Sequence, residues 1–140
     1  MTSEFSIAIH TLVFLNHKKD CQTSEKIAQN VCTNPVRIRK ILTKLKKAGF
    51  VATKEGIDGG CHFIAEPDAV TLEMVAHALG ETPVHVSKRT GSIDMDCQIA
   101  SGMGDVMDDI YAQLNQACFE RLSEMTITDI DALIFPNNVL

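Results

Sequence analysis

Tryptophan is absent from the sequence and tyrosine occurs once. That excludes a surface holding nucleic-acid bases mainly by aromatic stacking. Long apolar runs are missing as well. The longest near the start, Phe5 to Leu15, is too short to cross a bilayer and carries His10 and Thr11. No basic stretch precedes it and no small-residue cleavage pattern follows, so the expectation is a cytoplasmic protein without a signal peptide or membrane partner. Five cysteines are an odd number with no tight pairs, which argues against a secreted disulfide framework and for free thiols. A glycine-rich phosphate loop, zinc-ligand spacing and a local Ser-His-Asp set are all lacking, so an enzyme is not expected. His10, His17, His62, His77 and His85 are scattered and read as surface or satisfied core residues. No metal or cofactor is expected.

Acidic residues are missing where the basic ones gather. The chain has 13 Lys/Arg and 18 Asp/Glu, yet residues 35–54 hold seven of the cations and no carboxylate. The remainder therefore carries six cations against 18 acids, a net −12. A solvated helix face usually mixes signs to gain i,i+4 pairs. A one-signed helix in an acidic protein accepts its own repulsion, which points to a polyanion, here double-stranded DNA.

The basic stretch reads as a helix with both ends marked. Asn34 is a good N-cap and Pro35 suits the first helical position. Gly49 can take the left-handed conformation beyond the end. Val36, Ile38, Ile41, Leu42 and Leu45 are expected on its apolar face. Arg37, Arg39, Lys40, Lys44, Lys46 and Lys47 fall mostly elsewhere.

Before it, residues 3–17 predict a helix capped by Ser3, with Phe5, Ala8, Ile9, Leu12, Val13 and Leu15 buried. Thr23 or Ser24 caps a short helix over 25–30, with Ile27, Ala28 and Val31 inward. A short helix, a brief turn at Cys32-Thr33 and a longer basic helix make a helix-turn-helix whose second helix enters the major groove. After Gly49, residues 50–54 and 61–64 read as strands around the turn-rich 55–60. The hairpin is the wing of a winged helix-turn-helix. Gly56, Gly59 and Gly60 allow positive φ and close approach to a phosphate or minor groove.

Thr71 caps a helix over 72–79, closed by Gly80. Residues 81–95 show no period and read as a loop. From Asp96 to about Ser123 runs a long helical pattern in which Ile99, Met103, Val106, Ile110, Leu114 and Ala117 form one stripe, widened by Met107, Tyr111 and Cys118. Gly102 and Gly104 allow close approach. A second copy is the economical partner for such a stripe, since two-fold dimers match palindromic operators. A last short helix follows Thr126 or Thr128. The expected fold is mostly α with a small β-hairpin. A winged helix-turn-helix domain spans 1–80, a loop 81–95, and the dimerisation helix with a short C-terminal helix 96–140.

These pieces together resemble the Rrf2 family of bacterial transcription regulators over most of the chain. The resemblance is carried by Ile7-Ala8-Ile9-His10-Thr11-Leu12, Lys26-Ile27-Ala28, Asn34 to Lys40, Leu45 to Val51, and Val70 to Val75. Its most specific part is the Gly56-Ile57-Asp58-Gly59-Gly60 wing following Lys47-Ala48-Gly49. It implies a homodimeric winged-helix DNA binder with a crossed pair of long helices. Two departures stand out. Many members carry three close cysteines before the dimer helix to hold an iron–sulfur cluster, whereas only Cys97 lies there. A cluster needs several thiolates. Where the wing often continues with an aromatic, this chain has Cys61.

The candidate DNA contacts are Ser24, Asn34, Pro35, Val36, Arg37, Arg39, Lys40, Lys44, Lys54, Gly59 and Gly60. Cys32, just before the cap of the basic helix, and Cys97, at the start of the long one, are candidates for a redox switch, because positive helix N-termini stabilise thiolate. Asp94 and Asp96 oppose this at Cys97. Cys118 reads as a small buried apolar residue and Cys21 as a loop thiol. The leading expectation is a sequence-specific repressor controlled by thiol oxidation. The alternative is a regulator binding a small organic ligand between the winged domain and the long helix, with the cysteines incidental.

Overall fold

Local capping decides where most helices begin. In the computed structural model, which describes residues 1–138, α1 runs Ser3–His17 and is capped by Thr2, not Ser3. The Thr2 hydroxyl accepts from the Glu4 amide. Thr23 caps α2, Ser24–Val31, and places Ser24 in its first turn. Asn34 caps α3, Pro35–Lys47, by accepting from the Arg37 amide at 2.8 Å. That helix ends in a Schellman motif: the Phe50 amide reaches the Leu45 carbonyl and the Gly49 amide that of Lys46. Gly49 takes φ +84°, which a side chain would resist.

Strands β1, Val51–Lys54, and β2, Gly60–Phe63, pair antiparallel with Val51 opposite Phe63 and Lys54 opposite Gly60. The α1–α2 loop adds a third edge, where Gln22 and Cys61 exchange amide–carbonyl bonds of 2.9 and 2.8 Å. Helix α4 is Leu72–Leu79, α5 is Gln98–Ser123 and α6 is Ile127–Ile134, followed by a single 3-10 turn.

The core is one cluster. Leu12 and Leu15 of α1 meet Ile27, Ile38, Ile41, Leu45, Val51, Val75 and Ile127, all fully buried. Ile127 matters for domain organisation. It belongs to α6, and the Leu72 and Ile127 amides bond to the Met125 and Val70 carbonyls across the two chain segments. The last helix thus packs on the winged-helix core and not on the long helix alone. Phe5 and Ile9, expected in the core, are only half-buried, and Ile7 takes the inward position.

Helix α5 extends about 39 Å at 1.5 Å per residue. Only its C-terminal end touches the core, through Leu122 and a Phe119 ring stacked on His77 at 4.6 Å. Residues 81–95 carry no regular element yet are tied down along α5, running antiparallel to it. Val84 bonds Asn115 at 2.7 Å, Ser87 bonds Tyr111 at 3.2 Å, Arg89 bonds Asp105 at 2.6 Å, and the Ser92 amide bonds the Ala100 carbonyl. Gly104 makes room for this strap, since a Cβ there would sit within 2.5 Å of the Arg89 guanidinium.

Candidate nucleic-acid interface

Helix α3 buries Ile38, Ile41, Leu42 and Leu45. Val36 was expected among them and is 54% exposed. The reason is angular: at about 100° per residue, Val36 lies roughly 200° from Ile38, on the opposite side of the helix. Val36, Lys40, Thr43 and Lys47 therefore share the outermost stripe, at spacings of four, three and four, and all four are exposed. Thr43 and Lys47 were missing from the sequence-based set, although counting turns from Val36 finds them.

The flanks of the same helix are already engaged. Lys44 Nζ is 3.4 Å from Glu4 Oε2 on α1, and the Arg37 guanidinium donates to the Ser3 hydroxyl. On the other flank Arg39 lies 3.4 Å from Glu25 of α2, and Lys46 donates to Thr53 of β1 at 3.0 Å. Lys40, Lys47 and Lys54 make no ion pair among the described residues. Asn34 spends its side-chain oxygen on the cap, which leaves its amide N–H groups for an external partner. Pro35 is half-buried at the first turn, and Ser24 is half-buried at the start of α2.

The wing projects beside this face. Its loop, residues 55–58, is wholly exposed, and Lys54 stands at its base. Gly56 and Gly60 have positive φ, as anticipated, but Gly59 does not. Gly59 is required by space: a Cβ would lie 2.3 Å from the Lys54 carbonyl oxygen. Gly60 packs as closely on the Gln22 backbone, which fixes the wing to the α1–α2 loop.

A short helix, a tight turn, an outward cationic helix and a glycine-tipped hairpin in chain order form a winged helix-turn-helix. The family model of Rrf2, described as an iron-dependent transcriptional regulator, matches residues 1–132. The chain belongs to the Rrf2 family. It is 24% identical over 134 residues to YwnA of Bacillus subtilis, classed as an HTH-type transcriptional regulator, covering 93% of this chain and 96% of that one. A crystal structure from Lactobacillus plantarum, of a protein classed as a transcriptional regulator, superposes with TM-score 0.83 at 24% identity, over 98% of this chain and 93% of that one. CymR, the global cysteine regulator of Bacillus subtilis, gives 0.69 at 20% identity over 95% and 96%. The family and fold are those of transcriptional regulators, which are not enzymes.

Iron, named in the Rrf2 description, is not matched by the donors among the described residues of this chain. Cys97 is exposed ahead of α5, while Cys21, Cys32, Cys61 and Cys118 sit on separate elements. No three His, Cys, Asp or Glu side chains gather among the described residues, and an iron–sulfur cluster needs several thiolates. No described helix is long and apolar enough to cross a membrane.

The five thiols, all free, have different surroundings. Cys97 is the N-cap residue of α5, and the Ala100 and Ile99 amides face its sulfur without closing a capping hydrogen bond. They hold its pKa below the usual thiol value, against a smaller opposing effect of desolvation, and the opposition expected from Asp94 and Asp96 is not among the causes. Cys32 is placed differently from its expected role at the start of α3. It is the C-cap of α2, left-handed at φ +63°, with its thiol donating toward the Gln29 carbonyl. A non-glycine residue there costs about 1–2 kcal/mol. Burial pushes the Cys61 thiol up to about 11. Its small side chain fills the core position where the wing of relatives is expected to carry an aromatic. Cys21 is half-buried, 3.5 Å from His62 Nδ1.

The stripe on α5 is uncovered. Ile99 is 71% exposed and Leu114 47%, with Met103, Val106, Ile110 and Ala117 exposed between and beyond them. Met107, Tyr111 and Cys118 are half-buried instead.

Proposed function

We propose that the protein is a cytoplasmic homodimeric repressor that binds palindromic operators through α3 and the wing. The observation that carries this reading is the outward stripe of α3. An otherwise acidic chain presents Val36, Lys40, Thr43 and Lys47 there without a carboxylate among them. Lys40, Lys44 and Lys54 suit phosphates, while Arg37 and Arg39 at the flanks can turn to guanine edges. Val36 offers its methyls to thymine, and Asn34 its amide N–H groups. Ser24 offers a hydroxyl to a phosphate. Gly59 and Gly60 let the hairpin backbone come close to the minor groove. The apolar stripe Ile99–Met103–Val106–Ile110–Leu114–Ala117 is the surface a second copy would cover. Two-fold pairing would then set the α3 helices about one DNA turn, roughly 34 Å, apart.

Thiol control is part of the reading. Cys97 is exposed with a lowered pKa, the condition for reaction with peroxide. Cys32 is exposed on the turn that sets α3. In a crossed dimer, Cys97 of one protomer and Cys32 of its partner can join as a disulfide if their Cα atoms come within about 7 Å. Peroxide takes the two electrons, and the two thiol protons leave in water. The bond would fix the angle between recognition helices and weaken operator binding.

Selection of bound duplexes from a random pool, followed by binding of the Arg37→Ala/Arg39→Ala protein, tests the assignment. Loss of each guanine contact should cost about 1–3 kcal/mol of discrimination, with the dimer and fold unchanged. Undiminished affinity for the selected site would end the assignment of α3.

A further inference from the structure

A cavity of about 640 Å³ lies between α1 and α6, within the range of small-molecule sites. It is not where the sequence placed a ligand, between the winged domain and the long helix, for no residue of α5 lines it. Phe5, Ile9, Phe14, Ile130, Ile134 and Phe135 supply apolar walls. These include the α1 residues that the core leaves half-buried.

The polar residues on the described lining are few: Ser6, His10, His17, Lys18 and Asn30. His10 Nε2 is held by Asn30 Oδ1 at 2.8 Å. His17 stacks on Phe135 with ring centroids 4.4 Å apart. Its Nδ1 lies 3.3 Å from Asp131 Oδ1, a buried oxygen that finds no hydrogen-bond partner among the described residues. These contacts brace one wall as a flat aromatic surface. Among the described residues, Lys18 is the only permanently charged one on the lining, and none of the described lining residues is a carboxylate. Its ammonium rests 5.5 Å over the Phe14 ring and is exposed, so it can turn toward an anion without unfolding anything. A flat apolar interior with one cation at its edge is complementary to an apolar body bearing one negative group.

We propose that this cavity binds a small carboxylic acid with an aromatic or aliphatic body, its carboxylate held by Lys18. The site is connected to the recognition helix through one turn of α1. Phe5 and Ser6 line the cavity, and the preceding Ser3 and Glu4 hold Arg37 and Lys44. A ligand that displaces Phe5 therefore moves the groups that screen α3. This coupling rests on the DNA-binding reading; ligand binding itself does not.

Calorimetry of the full chain with 4-phenylbutyrate, indole-3-acetate and octanoate, each against its neutral amide, tests the site. At least one acid should bind once per chain, five-fold or more tighter than its amide, and Lys18→Gln should erase that preference. Ile134→Trp, which fills the cavity from an exposed position, should weaken binding at least ten-fold with unchanged circular dichroism. Ser6→Trp replaces it if that variant unfolds. No binding by any of the three acids overturns the proposal. So does equal binding of acid and amide, or full affinity in the filled variant. Anisotropy with a labelled duplex, with and without the bound acid, should show altered DNA affinity. An unaltered value overturns the coupling and keeps the site, and a protein that binds no DNA leaves the calorimetry to decide the site alone.

Discussion

Glu4→Gln should tighten the binding of this protein to duplex DNA. Glu4 Oε2 lies 3.4 Å from Lys44 Nζ, with the side chains 36% and 44% exposed. In so open a setting the pair is worth about 0.2–1 kcal/mol, since water screens it and two long side chains are immobilised. That energy is given up when Lys44 turns to a phosphate. Removing the carboxylate should therefore raise affinity roughly 1.4- to 5-fold at low salt. Glu25 stands in the same relation to Arg39, at 3.4 Å and more exposed still. The double variant should gain about 2- to 30-fold if the two add. Charge alone drives the gain, so it should fade as the Debye length falls from about 10 Å at 0.1 M salt to about 3 Å at 1 M. Stability should move the other way. Glu4 lies in the first turn of α1, and losing its charge at a helix N-terminus costs about 0.3–1 kcal/mol. Fluorescence anisotropy of a labelled random-sequence duplex across a salt titration reads the effect without knowledge of the operator. Lys44→Gln supplies the opposite control, lowering the salt slope by about 1. An unchanged or weaker affinity of folded Glu4→Gln protein at low salt would show that α3 does not face DNA through this flank.

Ile110→Glu puts a carboxylate in the middle of the exposed α5 stripe; sedimentation should show monomers, and a well-folded dimer would place the interface elsewhere. Cys61 has a folded pKa of about 11 against an ordinary 9.0. Its neutral form is thus favoured by folding, and stability should fall as pH rises from 9 to about 11, by up to about 3 kcal/mol at 1.4 kcal/mol per unit. Urea melts of Cys61→Val should lack that part of the alkaline loss; an identical pH profile in both proteins would refute the buried thiol as its source. After peroxide, non-reducing electrophoresis should show a covalent dimer that vanishes in Cys32→Ser and in Cys97→Ser, whereas an unchanged monomer band in the native protein sinks the switch.

What the sequence made legible was local. Asn34, Pro35 and Gly49 bracket α3 because a cap, a ring-locked φ and a left-handed residue each act within a few positions. The stripe on α5 was likewise a matter of spacing. Long-range pairings were not legible. Nothing near Glu4 announces that Lys44, 40 residues on, will lie beside it, or that Gln22 will pair with Cys61. Cys32 shows the cost of reasoning from position alone. It precedes the α3 cap in sequence, but the chain turns through a left-handed residue there, so the thiol lies at the end of α2 and not at the start of α3. Val36 was misassigned for a plainer reason, since two residues along a helix is half a turn, not one face.

The first two turns of α1 carry more than their own helix. Met1 donates from its ammonium to the Pro83 carbonyl at 3.0 Å, and Thr2 donates to Glu81, so the chain start is fastened to the strap that runs along α5. The next two residues, Ser3 and Glu4, contact Arg37 and Lys44 on α3. Four consecutive residues thus join the base of the long arm to the flank of the cationic helix. Phe5 and Ser6 then open onto the α1–α6 cavity. Rigid helical backbone carries a displacement from Phe5 to Ser3 within one turn, about 5.4 Å of rise. In a dimer joined through α5, the angle of each α3 to its partner would depend on this same turn. Half-site spacing on DNA tolerates little change in that angle, so in the proposed dimer small movements at the start of α1 would alter operator binding.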